Sequence, residues 1–309
     1  MSRIYLSQQT DPYFNVAAEY QLFKQTREDI SLFLWRNRPS VIIGRNQNIF
    51  AECNTQFLKA RGISPVRRLS GGGAVFQDLG NLNYTFLSRE EDADKEKYIK
   101  VIRGAMMSMG VECTFSGRND LLAGGRKFSG QAYYADHGNL LYHGTLMINV
   151  DLDMMAGALH PSFIKLSSKG IESVKSRVVN LSDICEGITA QRAAAALINA
   201  FKMEYDTDLS VQPLNKANMQ PAAFRKISSD EWIYGQAPDF DVKFERKLSF
   251  GNACIYTDVS VGRITRLKVY TDSLVEIDFT QFEREAAGHL FDEDKLAVQL
   301  ESYVAKIGT

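Results

Sequence analysis

Arg67-Arg68-Leu69-Ser70-Gly71-Gly72-Gly73-Ala74-Val75-Phe76 places paired guanidinium groups directly before a glycine triplet. Glycines lack Cβ atoms, so successive backbone amides can converge on one anion, while arginine forks match the oxygens of a phosphate. A glycine triplet alone reads as a flexible surface turn. The arginines before it and the strand-like apolar run after it favour an anion site. A second polar block follows in Gly117-Arg118-Asn119-Asp120, Gly124-Gly125-Arg126-Lys127-Phe128-Ser129-Gly130-Gln131-Ala132 and His143-Gly144-Thr145-Leu146. Lys127 stands in a strand-like segment among small and aromatic residues, which makes it a candidate site cation, although a single lysine is more often a solvated edge residue.

On these residues the sequence resembles the lipoate protein ligases, which activate lipoate with ATP and attach it to a lysine of a carrier domain. The resemblance rests on Arg67 to Phe76, Asp78-Leu79-Gly80-Asn81-Leu82-Asn83, Gly117 to Asp120, Arg126 to Gly130 and His143 to Leu146. It continues through Ser168-Lys169-Gly170-Ile171, Ser173-Val174 and Ser176-Arg177-Val178 to Trp232, Tyr234-Gly235, Pro238 and Phe240, and so spans nearly the whole chain. One departure is Gln77, where many members carry histidine; glutamine hydrogen-bonds but does not titrate near neutrality.

The resemblance implies an α+β fold: a catalytic domain over residues 1–241 like those of class II aminoacyl-tRNA synthetases and biotin ligases, then a small α/β accessory domain over 242–309. It implies ATP and Mg²⁺, lipoate as substrate, and as partners the lipoyl domains of 2-oxoacid dehydrogenase E2 subunits and the glycine cleavage H protein. By matching position, Arg68, Gly73, Ala74, Val75 and Phe76 lie along the nucleotide, and Lys127 reaches both the α-phosphate and the lipoyl carboxylate as the catalytic residue. Asn119 and Asp120 are further ATP-side candidates, Asp120 reading equally well as an ordinary turn residue. Gly72, Asn83, His143 and Gly144 fall on the lipoate side with Lys127. His143 is given no proton transfer, a lone histidine being more often structural. Val75, Phe76 and Tyr84 suit either an apolar acyl slot or core packing. Lys169, Gly170, Ser173, Val174 and Arg177 belong to a segment that the resemblance closes over the adenylate; without it the stretch reads as an exposed loop. No dense carboxylate cluster identifies metal ligands.

The chemistry explains the cations. A carboxylate is a poor electrophile, so amide formation needs prior activation, and adenylation supplies an acyl phosphate with a good leaving group. The protein must align two anions and neutralise their repulsion. Rival readings are a cysteine-dependent octanoyltransferase or lipoyl amidotransferase, and a non-catalytic lipoate- or nucleotide-binding protein. No cysteine stands inside the glycine, Lys127 or His143 blocks, and retention of Lys127 with both blocks argues against a simple binder. A biotin ligase has a different arginine-glycine signature.

Composition bounds the rest. With 45% hydrophobic and 24% charged residues and a net charge of −1, the chain reads as an ordinary globular protein without a general nucleic-acid surface. Cys53, Cys113, Cys185 and Cys254 are widely spaced, unlike zinc or dithiol motifs, and read as reduced thiols. No signal-peptide core or bilayer-spanning run is evident, so the expected setting is cytoplasmic, with no membrane.

Local signals predict the frame. Asp11-Pro12 starts a helix with Phe14, Ala17, Ala18, Gln21 and Leu22 at helical spacing, one face of which should be buried. Ser31 to Trp35 and Ser40 to Gly44 read as strands joined across Asn37-Arg38-Pro39, and Asn54 to Gly62 as a short helix. Ile63 to Arg68, Ala74 to Gln77, Leu82 to Leu87, Val111 to Phe115, Phe128 to Tyr134 and Leu140 to Val150 read as strands of a largely antiparallel sheet. Helices are expected from the charged stretch after Arg89 to Met109 and over Gln191 to Tyr205. After a composition shift near Gly235 to Asp241 come a hairpin, Ala253 to Val259 with Arg263 to Tyr270, and helical stretches Phe282 to Leu290 and Asp292 to Tyr303.

Overall fold

The computed structural model describes residues 2–26, 30–116, 119–159, 177–234 and 242–307. Strand β1 (Arg3–Ser7) leads into α1 (Pro12–Gln25), which starts where the sequence places its cap: the Asp11 side chain accepts from the Tyr13 amide and Pro12 fills the first turn. The buried face of α1 carries Asn15 and Glu19 beside the expected apolar residues. Strands β2 (Ser31–Trp35) and β3 (Ser40–Ile43) form as predicted but enter different sheets. After the short α2 (Ile49–Glu52) comes α3 (Thr55–Arg61), capped by Asn54 and closed by Gly62 at φ 64°.

Strands β4 (Ser64–Arg67) and β5 (Val75–Gln77) flank β3, the first parallel and the second antiparallel to it. The glycine turn therefore crosses from one edge of a small sheet to the other, and both its ends are held by strand pairing. Next come β6 (Asn81–Arg89), α4 (Lys95–Ser108), β7 (Thr114–Ser116), β8 (Asp120–Ala123), β9 (Arg126–Asp136), β10 (Asn139–Met147) and α5 (Leu152–Ala158). Then α6 (Ala190–Glu204), β11 (Val211–Leu214), α7 (Pro221–Ile227) and α8 (Asp230–Tyr234) follow.

Among the described residues, eight strands form one sheet in the order β11-β1-β2-β6-β10-β9-β8-β7. Its β1 edge pairs in parallel and the rest is antiparallel. One face packs Tyr84, Phe86 and Phe128 against Tyr98 and Met106 of α4 and Phe201 of α6. The opposite face sets Phe33, Trp35 and Leu141 against Phe14 and Phe23 of α1. Strand β8 has no counterpart in the sequence reading: four residues beside glycines carry too little alternation to declare a strand.

Beyond residue 241 lie β12 (Val242–Leu248), β13 (Gly251–Ser260), β14 (Arg263–Thr271), α9 (Thr280–Ala286) and α10 (Glu293–Ile307). The hairpin turns at Val261 and Gly262, with φ 51° and 73°. The helix expected to reach Leu290 stops at Ala286 because Ala287 turns to an extended conformation. This unit has its own core of Phe244, Ile255, Leu267, Phe282, Leu296 and Leu300. The boundary placed at 241/242 falls at the end of 235–241, outside the described residues. No helix among those described is long and apolar enough to cross a membrane.

Candidate active site

The paired arginines donate to nearby backbone carbonyls, and Arg68 also lines the larger cavity described below. The Arg67 guanidinium donates to the carbonyls of Gly44, Arg45, Gln47, Trp232 and Ile233. Arg68 donates to the carbonyls of Ile42, Gly71 and Gly73 and to Ser70 Oγ. Burial pulls both guanidinium groups down to about 10, still well above neutrality, so they remain cations. A buried turn leaves carbonyls that need donors, and the arginines supply them. Arg68 thus braces the turn that was expected to carry it to the nucleotide.

The turn also meets the C-terminal unit. The Gly72 amide, at φ 86°, donates to Ser273 O at 2.6 Å, and a Cβ on Gly71 would lie 1.8 Å from that same oxygen. Gly73 is open, with no heavy atom within 4 Å of an added Cβ.

Lys127 is at the start of β9, and its Nζ sits 2.7 Å from Asp120 Oδ1 as an ion pair rather than an aligned hydrogen bond. Asp120 opens β8 instead of a turn. Gly130 makes room for the lysine, since a Cβ there would meet Nζ at 2.8 Å. Asn119 is committed to β9: its side chain donates to Gln131 O, and its carbonyl accepts from the Gln131 amide. The Lys127 backbone is clasped by the 177–179 segment, its amide donating to Arg177 O at 2.8 Å and its carbonyl accepting from the Val179 amide at 2.9 Å. Lys169, Gly170, Ser173 and Val174 lie outside the described residues, as do Gly117 and Arg118.

Two cavities converge on Lys127. The larger, about 1180 Å³, takes in Val16, Glu19, Trp35, Gln77, Asn83, His143, Gly144 and Thr145. The smaller, about 590 Å³, takes in Phe76, Asn81, Leu122, Met147, Met155 and Arg177. Gly73, Ala74, Val75, Asp120, Lys127 and Gly130 line both. Tyr84 is fully buried in the core on the helix-covered face of the sheet, so it is packing rather than slot.

The wall of the larger cavity is a hydrogen-bonded web. Gln77 Nε2 donates to Asn83 Oδ1 at 2.8 Å and Thr145 Oγ1 at 3.2 Å, while its Oε1 accepts from Asn37 Nδ2 at 2.8 Å. His143 faces Glu19 through Nδ1 at 2.8 Å and Ser70 Oγ through Nε2 at 2.7 Å. Sequence reasoning missed Glu19. Its signal was its place one residue after Ala18 and three before Leu22, on the apolar face of α1. It also missed Asn252 and residues 272–277, by which the C-terminal unit walls this cavity; nothing local marks them.

All four cysteines are free. Burial pushes the Cys53 thiol up to about 12 and the Cys254 thiol up to about 11, and raises Cys113. Cys254 lines the smaller cavity. A thiol so raised is overwhelmingly protonated at neutral pH and a weak nucleophile.

A family model for the lipoyl protein ligase A/B catalytic domain matches residues 11–202, and one for the bacterial lipoate protein ligase C-terminus matches residues 237–308. Among solved structures, P. falciparum LipL1 in complex with lipoate is 25% identical, with a TM-score of 0.78 over 99% of this chain and 100% of that one. A bi-partite lipoate protein ligase from Thermoplasma acidophilum, studied with its E2 lipoyl domain, is 24% identical with a TM-score of 0.67 over 78% of this chain and 100% of that one. A lipoate-protein ligase A bound with ATP is 23% identical, with a TM-score of 0.66 over 76% of this chain and 98% of that one. The mixed α+β fold is that of lipoate ligases, and the chain belongs to the lipoyl protein ligase A/B family, carrying the lipoate ligase C-terminal unit as well.

Proposed function

We propose that the protein is an ATP-dependent lipoate ligase that makes lipoyl-AMP and transfers the lipoyl group to a carrier lysine. The observation that carries this reading is the Lys127 ammonium at the junction of two cavities, one bordered by the acyl-side residues Asn83, His143 and Gly144, the other by Phe76 and Arg177. In the first step a carboxylate oxygen of lipoate attacks the α-phosphorus, and pyrophosphate leaves with the electrons of the broken P–O bond. In the second the carrier amine attacks the acyl carbon, AMP leaves, and the ammonium proton passes to solvent. Lys127 lowers the repulsion between the two anions most where charge concentrates, at the transferring phosphorus. The open Gly73 gives backbone access to phosphate oxygens.

Magnesium is expected on the triphosphate. Among the described residues no three His, Cys, Asp or Glu side chains gather, and Asp120 is already engaged by Lys127. The described residues make no dedicated magnesium cage.

Carriers are taken to be lipoyl domains of 2-oxoacid dehydrogenase E2 subunits and the glycine cleavage H protein; the study of the archaeal ligase with its E2 lipoyl domain supports the first. Free thiols fit a reducing, cytoplasmic setting. The deciding assay is lipoate-dependent exchange of labelled pyrophosphate into ATP, which this reading requires. A second reading, acyl transfer through a thiol, is favoured only by the position of Cys254; it requires instead a thioester trapped on that residue and no exchange.

A further inference from the structure

We propose that Glu19 is a charge filter at the inner end of the acyl cavity, setting the direction of entry and rejecting acids whose far end is anionic. This rests on the larger cavity being the acyl slot.

Donor chains from two sides end on one oxygen of Glu19. Trp35 Nε1 donates to Thr85 Oγ1 at 3.2 Å, and Thr85 Oγ1 donates to Glu19 Oε1 at 2.6 Å. Arg68 Nε donates to Ser70 Oγ at 3.1 Å, Ser70 Oγ contacts His143 Nε2 at 2.7 Å, and His143 Nδ1 contacts Glu19 Oε1 at 2.8 Å. Tryptophan and arginine nitrogens only donate, so Thr85 and Ser70 accept from them, and Thr85 passes its own proton to Glu19. A carboxylate oxygen only accepts, so the ring nitrogen that faces Glu19, Nδ1, is the donor of that contact. Glu19 is thereby fixed through Oε1, while Oε2 is buried with no partner among the described residues, in a side chain 1% exposed that lines the cavity. Such an oxygen is costly to keep unless the site uses it.

Its place fits an acyl chain. Lys127 Nζ lies over Gly130, which pairs with Thr145; Ala132 pairs with His143, the partner of Glu19. Two residues along a strand are about 7 Å, with a further step of about 5 Å across to the next strand. A carboxylate held at Lys127 therefore sends its chain toward Glu19. A carboxylate entering inner end first, or a second one at the far end of the chain, meets a like charge there. An uncharged tail meets no such repulsion.

The test is equilibrium binding of octanoate, octanedioate and 8-aminooctanoate to the intact protein and to Glu19→Gln, with octanoate-dependent pyrophosphate exchange run alongside. The wild type should bind octanoate at least about tenfold more tightly than octanedioate. Glu19→Gln should narrow that gap at least about tenfold and weaken 8-aminooctanoate relative to octanoate. A slot merely loosened by the substitution would admit both charged tails, and that result overturns the filter. So does an unchanged octanoate-to-octanedioate ratio. Should the variant not fold, wild-type binding of octanedioate as tight as octanoate overturns it equally. Selective binding without pyrophosphate exchange would support the filter and reject the ligase reading; exchange with an unchanged ratio in the variant would do the reverse.

Discussion

At Lys127 the proposed chemistry depends on one ammonium that already has a counter-ion. Asp120 holds it at 2.7 Å, and both side chains are about one-third exposed, so the pair is easily exchanged for a substrate phosphate. Lys127→Ala is expected to slow lipoyl-adenylate formation about a hundredfold to a thousandfold while the circular dichroism spectrum stays that of the parent. A folded variant with near-normal pyrophosphate exchange would remove Lys127 from the centre. Gln77 invites the opposite experiment. It donates twice and accepts from Asn37, whereas a neutral imidazole has one donor and one acceptor. Gln77→His should therefore cost about 1 kcal/mol of stability near neutrality. The cost should grow as pH falls, since imidazolium cannot accept from Asn37; a pH series of urea midpoints reads this, and a flat difference would reject it. Lys127 stands out in the sequence because a lysine among glycines and aromatics is unusual, and it lines both cavities. The carbonyls that Arg67 and Arg68 brace were not legible, since residue type alone does not tell which acceptors a guanidinium fork will meet.

Elements were legible where their ends carry their own chemistry. Asp11 starts α1 through a bond to the Tyr13 amide, and Asp11→Ala should cost about 1 kcal/mol, read as a lowered thermal midpoint. Caps and turns such as Asn54, Gly62 and Val261-Gly262 are local and were readable. Which sheet a strand joins is not local: β2 and β3 are separated by a short turn and part company because β2 pairs with β1 and β6 while β3 pairs with β4 and β5. The glycine turn is a case of the same kind. Gly71→Ala puts a methyl group into Ser273 O and should drive the 272–276 segment off the turn, exposing the Thr271 amide that now donates to Asn46 O. Faster hydrogen exchange at Thr271 is the expected sign, and unchanged protection would show that the turn yields instead.

In the whole molecule the C-terminal unit closes the site from above. Arg45 Nη2 meets Glu276 Oε1 at 2.7 Å while its guanidinium lies over the Tyr134 and Trp232 rings at 5.4 and 6.0 Å. Burial raises the Glu276 carboxyl above its ordinary 4.5 despite Arg45. The folded state then holds that proton to higher pH than the unfolded chain, so this group's contribution declines as pH rises from the ordinary carboxylate value through the raised one. Glu276→Gln, which cannot ionise, should flatten that slope in acid stability curves. Truncation near residue 241 removes Asn252 and residues 272–277 from the larger cavity and Tyr270 from the smaller. A folded chain so shortened should activate lipoate slowly yet still transfer from supplied lipoyl-AMP, because Lys127 and Gly73 remain; equal loss of both half-reactions would reject that division. None of this closure was written locally in the sequence, since it joins residues far apart in the chain.

The bond between the Gly72 amide and Ser273 O also has a date in the life of the chain. Its acceptor leaves the ribosome about 200 residues after its donor. At about 5–20 residues per second, that is an interval of some tens of seconds or less. Throughout it the paired arginines and both strands beside the turn already exist, while the covering carbonyl does not. A nascent chain thus spends its first moments with the turn's amide free of that carbonyl, and only the last part of synthesis supplies the group that occupies it.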